Sequence, residues 1–113
     1  MSADCIFCSI VGGQLPATVR YEDERLLAIE DRNPAAPTHL LLITKEHFTS
    51  LNTLTDTAAW AAFLPAVQQL AADTDSARGG YRLVINTGEN GGQTVGHLHM
   101  HFLASRRLTW PPG

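Results

Sequence analysis

Residues 96–102 run Gly-His-Leu-His-Met-His-Phe, so three of the five histidines in the chain stand at alternate positions. In a β-strand successive side chains leave on opposite faces. His97, His99 and His101 then share one face, and Leu98, Met100 and Phe102 share the other. The apolar set belongs in a core, and the three imidazoles line the opposite surface, a candidate cleft. One polar residue on a half-buried strand needs no special account. Three in strict alternation do.

A single ion cannot take all three comfortably. Neighbouring members lie ~7 Å apart along a strand and the outer two ~13 Å, whereas metal–nitrogen bonds are about 2.1 Å. Two could reach one ion, which leaves at least one imidazole for other work. A neutral imidazole is a competent nucleophile near neutral pH. If its Nδ1–H is held by a backbone carbonyl, the Nε2 lone pair points outward, and attack on phosphorus gives a phospho- or nucleotidyl-histidine. The loop directly before the histidines, GENGGQT, offers backbone N–H groups as an anion nest and the hydroxyl of Thr94. It lacks the P-loop spacing, and its weight comes from its place beside the histidines.

The rest of the chain supplies a scaffold for such a strand. Asp4 is positioned to cap a short helix, CIFCSIV, ended by Gly12 and Gly13. Residues 17–22 and 26–30 form two strands around a polar turn at Asp23–Arg25, and residues 38–44, THLLLIT, form a strand apolar on both faces. Residues 56–73 are helical, with Trp60, Phe63, Leu64, Val67, Leu70 and Ala71 on one stripe and Pro65 expected to kink the helix or shift its start. Residues 81–87 and 97–104 complete five strands. The order α-β-β-β-α-β-β predicts an α+β domain with a mainly antiparallel sheet. At 113 residues the chain is a single domain, 1–113, with one core.

Composition narrows the function. A formal net charge of -3 argues against a polyanion-binding face, so no long nucleic acid is expected as partner. No apolar run approaches the ~20 residues that span a bilayer, and no membrane is expected. MSADCIF lacks the basic and apolar regions of a secretory signal, which makes the expected address cytoplasmic. The two cysteines, Cys5 and Cys8, are spaced C-x-x-C, a metal clip or a redox motif in a reducing compartment. The redox reading wants a strand before the motif, and only four residues precede Cys5.

The segments HLHMHFL, GGQTV, APTHLLLITKEH and WPPG together resemble the histidine triad (HIT) family of nucleotide-binding proteins, specifically its HINT branch, over nearly the whole chain. The resemblance implies the HIT fold, a five-stranded sheet with one long and one short helix, in a two-fold homodimer with a continuous sheet. It implies hydrolysis of purine nucleoside phosphoramidates, such as aminoacyl or lysyl adenylates, with His99 as the nucleophile. His101 would donate to the phosphate and leaving-group oxygens, and His39 would support proton transfer. Asp31 matches the ribose-binding carboxylate and Asn86 a phosphate-side contact. Gly92, Gln93 and Thr94 match the phosphate loop. Ile6, Phe7, Ile10, Leu15, Ile29 and Leu41 match the base pocket, and Trp110 would approach the partner's site. Arg32 stands near the base where relatives place an apolar residue, and Gly96 replaces an aromatic. In zinc-bearing relatives the positions of Cys5, Cys8, His47 and His97 are the ligands, which implies a structural zinc. Two other outcomes stay open: a non-catalytic purine nucleotide sensor, and a dinucleoside polyphosphate hydrolase.

Overall fold

The computed structural model describes residues 5–113. One five-stranded antiparallel sheet, in the spatial order β1-β2-β3-β5-β4, organises them. Its strands are β1 (Val19–Glu22), β2 (Leu26–Glu30), β3 (Thr38–Thr44), β4 (Tyr81–Val84) and β5 (His99–Ala104). Helix α1 (Ile6–Val11) precedes the sheet, and α2 (Thr57–Asp73) fills the connection between β3 and β4. Two four-residue helical turns, α3 (Ser76–Gly79) and α4 (Gly88–Gly91), and a 3-10 turn at Leu51–Thr53 add to the expected pair of helices.

The chain turns where its side chains supply hydrogen bonds. Asp23 closes the β1–β2 hairpin, its Oδ1 accepting from the N–H groups of Arg25 and Leu26, each at 2.8 Å. Asp56 caps α2 by accepting from Ala58 N at 3.0 Å. The N-cap of α1 is Cys5, whose Sγ accepts from Cys8 N; Asp4, expected in that role, lies outside the described residues.

Alternation splits the sheet into two environments. Leu26, Ala28, Leu40, Leu42, Met100, Phe102 and Ala104 face α2 and pack on its Phe63, Ala66, Val67 and Leu70. Leu27, Ile29, Leu41 and Ile43 face the other way, onto Phe7 of α1. β3 therefore buries apolar side chains on both faces, as its composition predicts for a central strand.

Several sequence expectations need correction. Trp60 and Leu64 do not join the buried stripe of α2 but are 48% and 63% exposed; Ala59 and Ala66 take their places inward. Pro65 neither moves the start of α2 nor interrupts it, because Pro65 and Ala61, whose carbonyl lacks its N–H partner, both lie on the exposed side where water can bond. β4 ends at Val84, three residues early, and β1 begins at Val19. β5 begins at His99, not His97, since Leu98 N–H donates to Phe48 O at 2.7 Å and leaves the ladder.

Phe102 is fully buried in the α2-facing core. Phe102→Ala should cost about 3–5 kcal/mol of stability, read as a lowered urea midpoint at unchanged slope.

Candidate functional site: a histidine cluster beside an open cavity

Register carries the histidines to one place. His101 pairs directly with Leu41 and His99 with Ile43 across the β3–β5 ladder. Directly opposed residues share a face, so both imidazoles emerge on the α1 side of the sheet. On that side a cavity of about 790 Å³ opens between α1, the segment after it and the end of β2. All six apolar residues expected for a base pocket line it: Ile6, Phe7, Ile10, Leu15, Ile29 and Leu41. Asp31 and Arg32 line the same cavity, and Arg32 Nη2 donates to Pro16 O at 3.4 Å.

His99 is buried, and its Nδ1 lies 2.7 Å from the carbonyl oxygen of His97. A ring nitrogen and a carbonyl oxygen can bond only through a hydrogen on the nitrogen, so Nδ1 carries it. In the neutral ring the Nε2 lone pair is then left free. The Phe7 ring stands edge-on to His99 with centroids 5.1 Å apart and holds its plane.

His39 and His101 form a second unit. His39 Nε2 is 2.9 Å from His101 Nδ1 and 3.4 Å from Asp31 Oδ2, while Ala35 N–H donates to His39 Nδ1 at 2.9 Å. Burial is the largest influence on both rings and pushes both below the ordinary histidine value. The charge of Asp31 pulls both back up in part, while His99 and His39 press His101 further down. Asp31 is fixed by accepting from Asn33 N at 2.8 Å.

The glycine-rich loop is more ordered than its composition suggests. Gln93 is its internal clamp: Oε1 accepts from Gly88 N at 3.1 Å, and Nε2 donates to Thr49 O at 2.7 Å and Val95 O at 2.9 Å. Its amide thus braces the loop that carries Gly92 and Thr94. Gly92 has a φ of 79°, a left-handed conformation that glycine adopts at no steric cost. Thr94 borders a separate shallow polar depression with Gly88, Glu89 and Gly96. The backbone of Asn86 runs beneath Gly91. Trp110 is 80% exposed and is not gathered into the site of its own chain.

A second cluster sits across the His97 ring. Cys5, Cys8, His47 and His97 bring four ligand atoms within 4.8 Å of one another. Cys5 Sγ is 3.2 Å and Cys8 Sγ 3.6 Å from His97 Nδ1, and Cys8 Sγ is 3.1 Å from His47 Nδ1. Ligand-to-ligand edges around a tetrahedral zinc with sulfur and nitrogen donors are about 3.4–3.8 Å, so a small expansion would admit the ion. Orientation fits as well. His97 Nε2 donates to Thr44 O at 2.7 Å, which leaves the Nδ1 lone pair aimed at the sulfurs. Burial pushes the Cys8 thiol up, helped by a hydrogen bond and the charge of Cys5; a dication among the sulfurs reverses that preference. This donor set could hold a metal. Sequence reasoning missed Thr44 and Ala35, since each acts through its main chain, on which the side-chain pattern is silent.

The histidine shifts set a pH dependence of stability. His39 and His101 bind protons less readily folded than unfolded, so their contribution is full above the unfolded value of about 6.5 and is lost as pH falls below it. The melting temperature should decline from pH 7.5 to pH 5.5, and less steeply in His39→Gln, at constant ionic strength. Equal slopes in the two proteins would exclude His39 as a source.

Residues 12–108 match the HIT domain family. An uncharacterized HIT-like protein of Synechococcus elongatus is 45% identical over the whole of both chains. The 14 kDa zinc-binding protein of Zea mays is 41% identical over 96% of this chain and 87% of its own. Among solved structures, a HIT family hydrolase of Legionella pneumophila superposes with a TM-score of 0.93 at 45% identity, covering 97% of this chain and 100% of the other. A histidine triad nucleotide-binding protein of Candida albicans gives 0.85 at 27% identity over 96% and 83%. A zinc-bound histidine triad family protein of Mycobacterium smegmatis gives 0.79 at 36% over 91% and 76%. With its family match, these full-length likenesses and the histidine cluster at the cavity, the chain belongs to the histidine triad (HIT) domain family.

Proposed function

We propose that this chain is a nucleoside phosphoramidase of the HINT branch, one that cleaves purine nucleoside 5'-phosphoramidates at the P–N bond. The observation that carries the reading is the 2.7 Å contact from His99 Nδ1 to His97 O, which makes Nε2 the free nitrogen on the cavity side of the sheet. The names of the Legionella hydrolase and the Candida nucleotide-binding protein support the class. The cavity supports a flat apolar base with a ribose at its edge. Its walls are aliphatic and aromatic, and its one acidic pair, Glu30 and Asp31, stands at the end of β2.

In this reading the base lies among Ile6, Phe7, Ile10, Leu15, Ile29 and Leu41, with Arg32 at the rim and Asp31 accepting from the ribose hydroxyls. The α-phosphate faces His99, with Asn86, Gly92 and Thr94 on its far side and Gln93 holding that loop in shape. His99 Nε2 attacks phosphorus, an N–P bond forms, the P–N bond to the amine breaks, and the amine gains a proton as it departs. Water then adds to phosphorus, the N–P bond breaks, and the nucleoside monophosphate leaves with His99 restored. His101 donates a hydrogen bond to the phosphoryl and leaving-group atoms, supported by His39.

Zinc has a structural role in the same reading. Cys5, Cys8, His47 and His97 hold it, and the ion pins α1, with Phe7, Ile6 and Ile10, to the sheet. The maize and mycobacterial names support zinc. The protein acts as a homodimer, joined through the free edge of β4, where Tyr81 and Leu83 are each 40% exposed, and through the exposed Trp60 and Leu64 of α2. Trp110 then reaches the partner's site. Among the described residues no helix is long and apolar enough to cross a membrane, and the cytoplasm is the proposed location.

Two measurements test these assignments. His99→Ala should remove turnover of adenosine or guanosine phosphoramidates, by at least about a thousandfold, while purine monophosphate still binds. Undiminished hydrolysis would end the proposal, and binding without any turnover in the parent protein would favour a nucleotide sensor. Untagged protein should carry about one zinc per chain, reduced in Cys8→Ser together with the melting temperature. Less than half an equivalent after mild purification would count against the metal.

A further inference from the structure

The contacts of the His39–His101 pair fix its proton order atom by atom. Ala35 N–H points at His39 Nδ1 from 2.9 Å. A donor faces that nitrogen, so the nitrogen accepts and carries no hydrogen. The hydrogen of neutral His39 must therefore sit on Nε2. Facing Nε2 are Asp31 Oδ2 at 3.4 Å, a carboxylate oxygen that accepts, and His101 Nδ1 at 2.9 Å, whose role follows from that hydrogen. The Asp31 carboxylate on that side is consistent with the hydrogen. It follows that His101 Nδ1 accepts, and that the hydrogen of neutral His101 sits on Nε2.

We infer that the backbone N–H of Ala35 sets the proton order of the whole relay, so that His101 serves as a fixed neutral hydrogen-bond donor through Nε2 and not as a proton donor. The charged alternatives fail on contacts. A protonated His39 would place an Nδ1–H against the Ala35 N–H. A protonated His101 would place an Nδ1–H against the Nε2–H of His39. A neutral His101 that gave up its one proton would become an imidazolate. Passing the His39 Nε2 hydrogen across would only move that anion to His39, beside the Asp31 carboxylate. Burial of His39 and partial burial of His101 disfavour each of these charges.

The catalytic meaning of this order rests on the phosphoramidase reading, whereas the order itself does not. In that reaction His101 Nε2–H stays on its ring while it stabilises charge growing on the phosphoryl and leaving-group atoms. The amine takes its proton from solvent water at the open cavity, and the water that later attacks phosphorus returns a proton to solvent, so the protons balance. Ala35 is a positioning residue, and Arg106 holds it in place by donating from Nη2 to Ala35 O at 2.9 Å.

Nitrogen NMR of the intact protein, labelled with 15N in histidine and backbone, tests the order directly at pH 7.5. The expected result is a pyridine-type Nδ1 and a pyrrole-type Nε2 in both His39 and His101. Couplings across the hydrogen bonds should link Ala35 N to His39 Nδ1 and His39 Nε2 to His101 Nδ1. A pyrrole-type Nδ1 on His101, or an even mixture of tautomers in either ring, overturns the inference. Ala35→Pro removes the donor and should populate the opposite order in both rings, with kcat for a phosphoramidate falling about tenfold or more and KM little changed. A folded Ala35→Pro protein with unchanged tautomers overturns the role of Ala35, and if that variant does not fold the couplings of the parent decide. Should the parent protein turn over no phosphoramidate, the proposed reaction fails while the nitrogen spectra still decide the proton order.

Discussion

The fully buried His97 is the junction on which the rest of the site depends. Its Nε2 bonds to Thr44 O, its Nδ1 faces the sulfurs of Cys5 and Cys8, and its own carbonyl receives the Nδ1–H of His99. One residue thus ties the end of β3, the N-terminal helix and His99 together. A buried imidazole with any of these partners missing would be costly, because an unmet polar group in the interior loses its water without replacement. Among the described residues no buried side-chain nitrogen or oxygen lacks a partner. The two histidine clusters are in this sense joined at His97, a candidate metal clip on one side and the oriented ring of His99 on the other.

The sheet separates rigidity from access. Its α2 face is a closed apolar core that fixes β3 and β5 in register, and its α1 face leaves room for a ligand. His39, His99 and His101 all stand on these two central strands, where each rotamer is held by neighbours on both sides. The loop after β2 adds Asp31 and the Ala35 N–H beside His39 and part of the cavity wall. That arrangement suits the proposed reaction, in which a nitrogen must meet phosphorus along one line, since precision comes from strands and adaptability from loops. The zinc clip would serve the same end, because α1 supplies both the metal thiols and the Phe7 ring that stands against His99.

Much of this was legible in the chain itself. A period of two in His-Leu-His-Met-His-Phe specifies which side chains meet the core, and the observed packing of Leu98, Met100 and Phe102 follows it. The apolar run of β3 announces a central strand, and C-x-x-C announces a clip. What the pattern could not carry was of three physical kinds. Main-chain partners such as Ala35 N–H and Thr44 O carry no side-chain signature. The long-range pairing of Gln93 Nε2 with Thr49 O spans 44 positions of sequence, and no local pattern announces that clamp. Finally, helical spacing alone cannot tell an inward from an outward apolar residue when the stripe is wide, and Trp60 and Leu64 share the spacing of the stripe yet face outward.

The alternation of the histidines has a further consequence in how charge is kept out. Three imidazoles within one small volume would repel if protonated together, and His99 lies only 5.1 Å from His101 between ring centroids. Each ring meets a different constraint: a sulfur pair at His97, a carbonyl at His99, another imidazole at His101. Each constraint fixes one nitrogen and leaves the other with a single task. Were any two of these rings to exchange partners, the free nitrogen beside the cavity would no longer be an acceptor flanked by a donor. It is this ordered pairing, lone pair next to N–H, on which the proposed phosphoryl chemistry rests, and three histidines at random on a surface would not provide it.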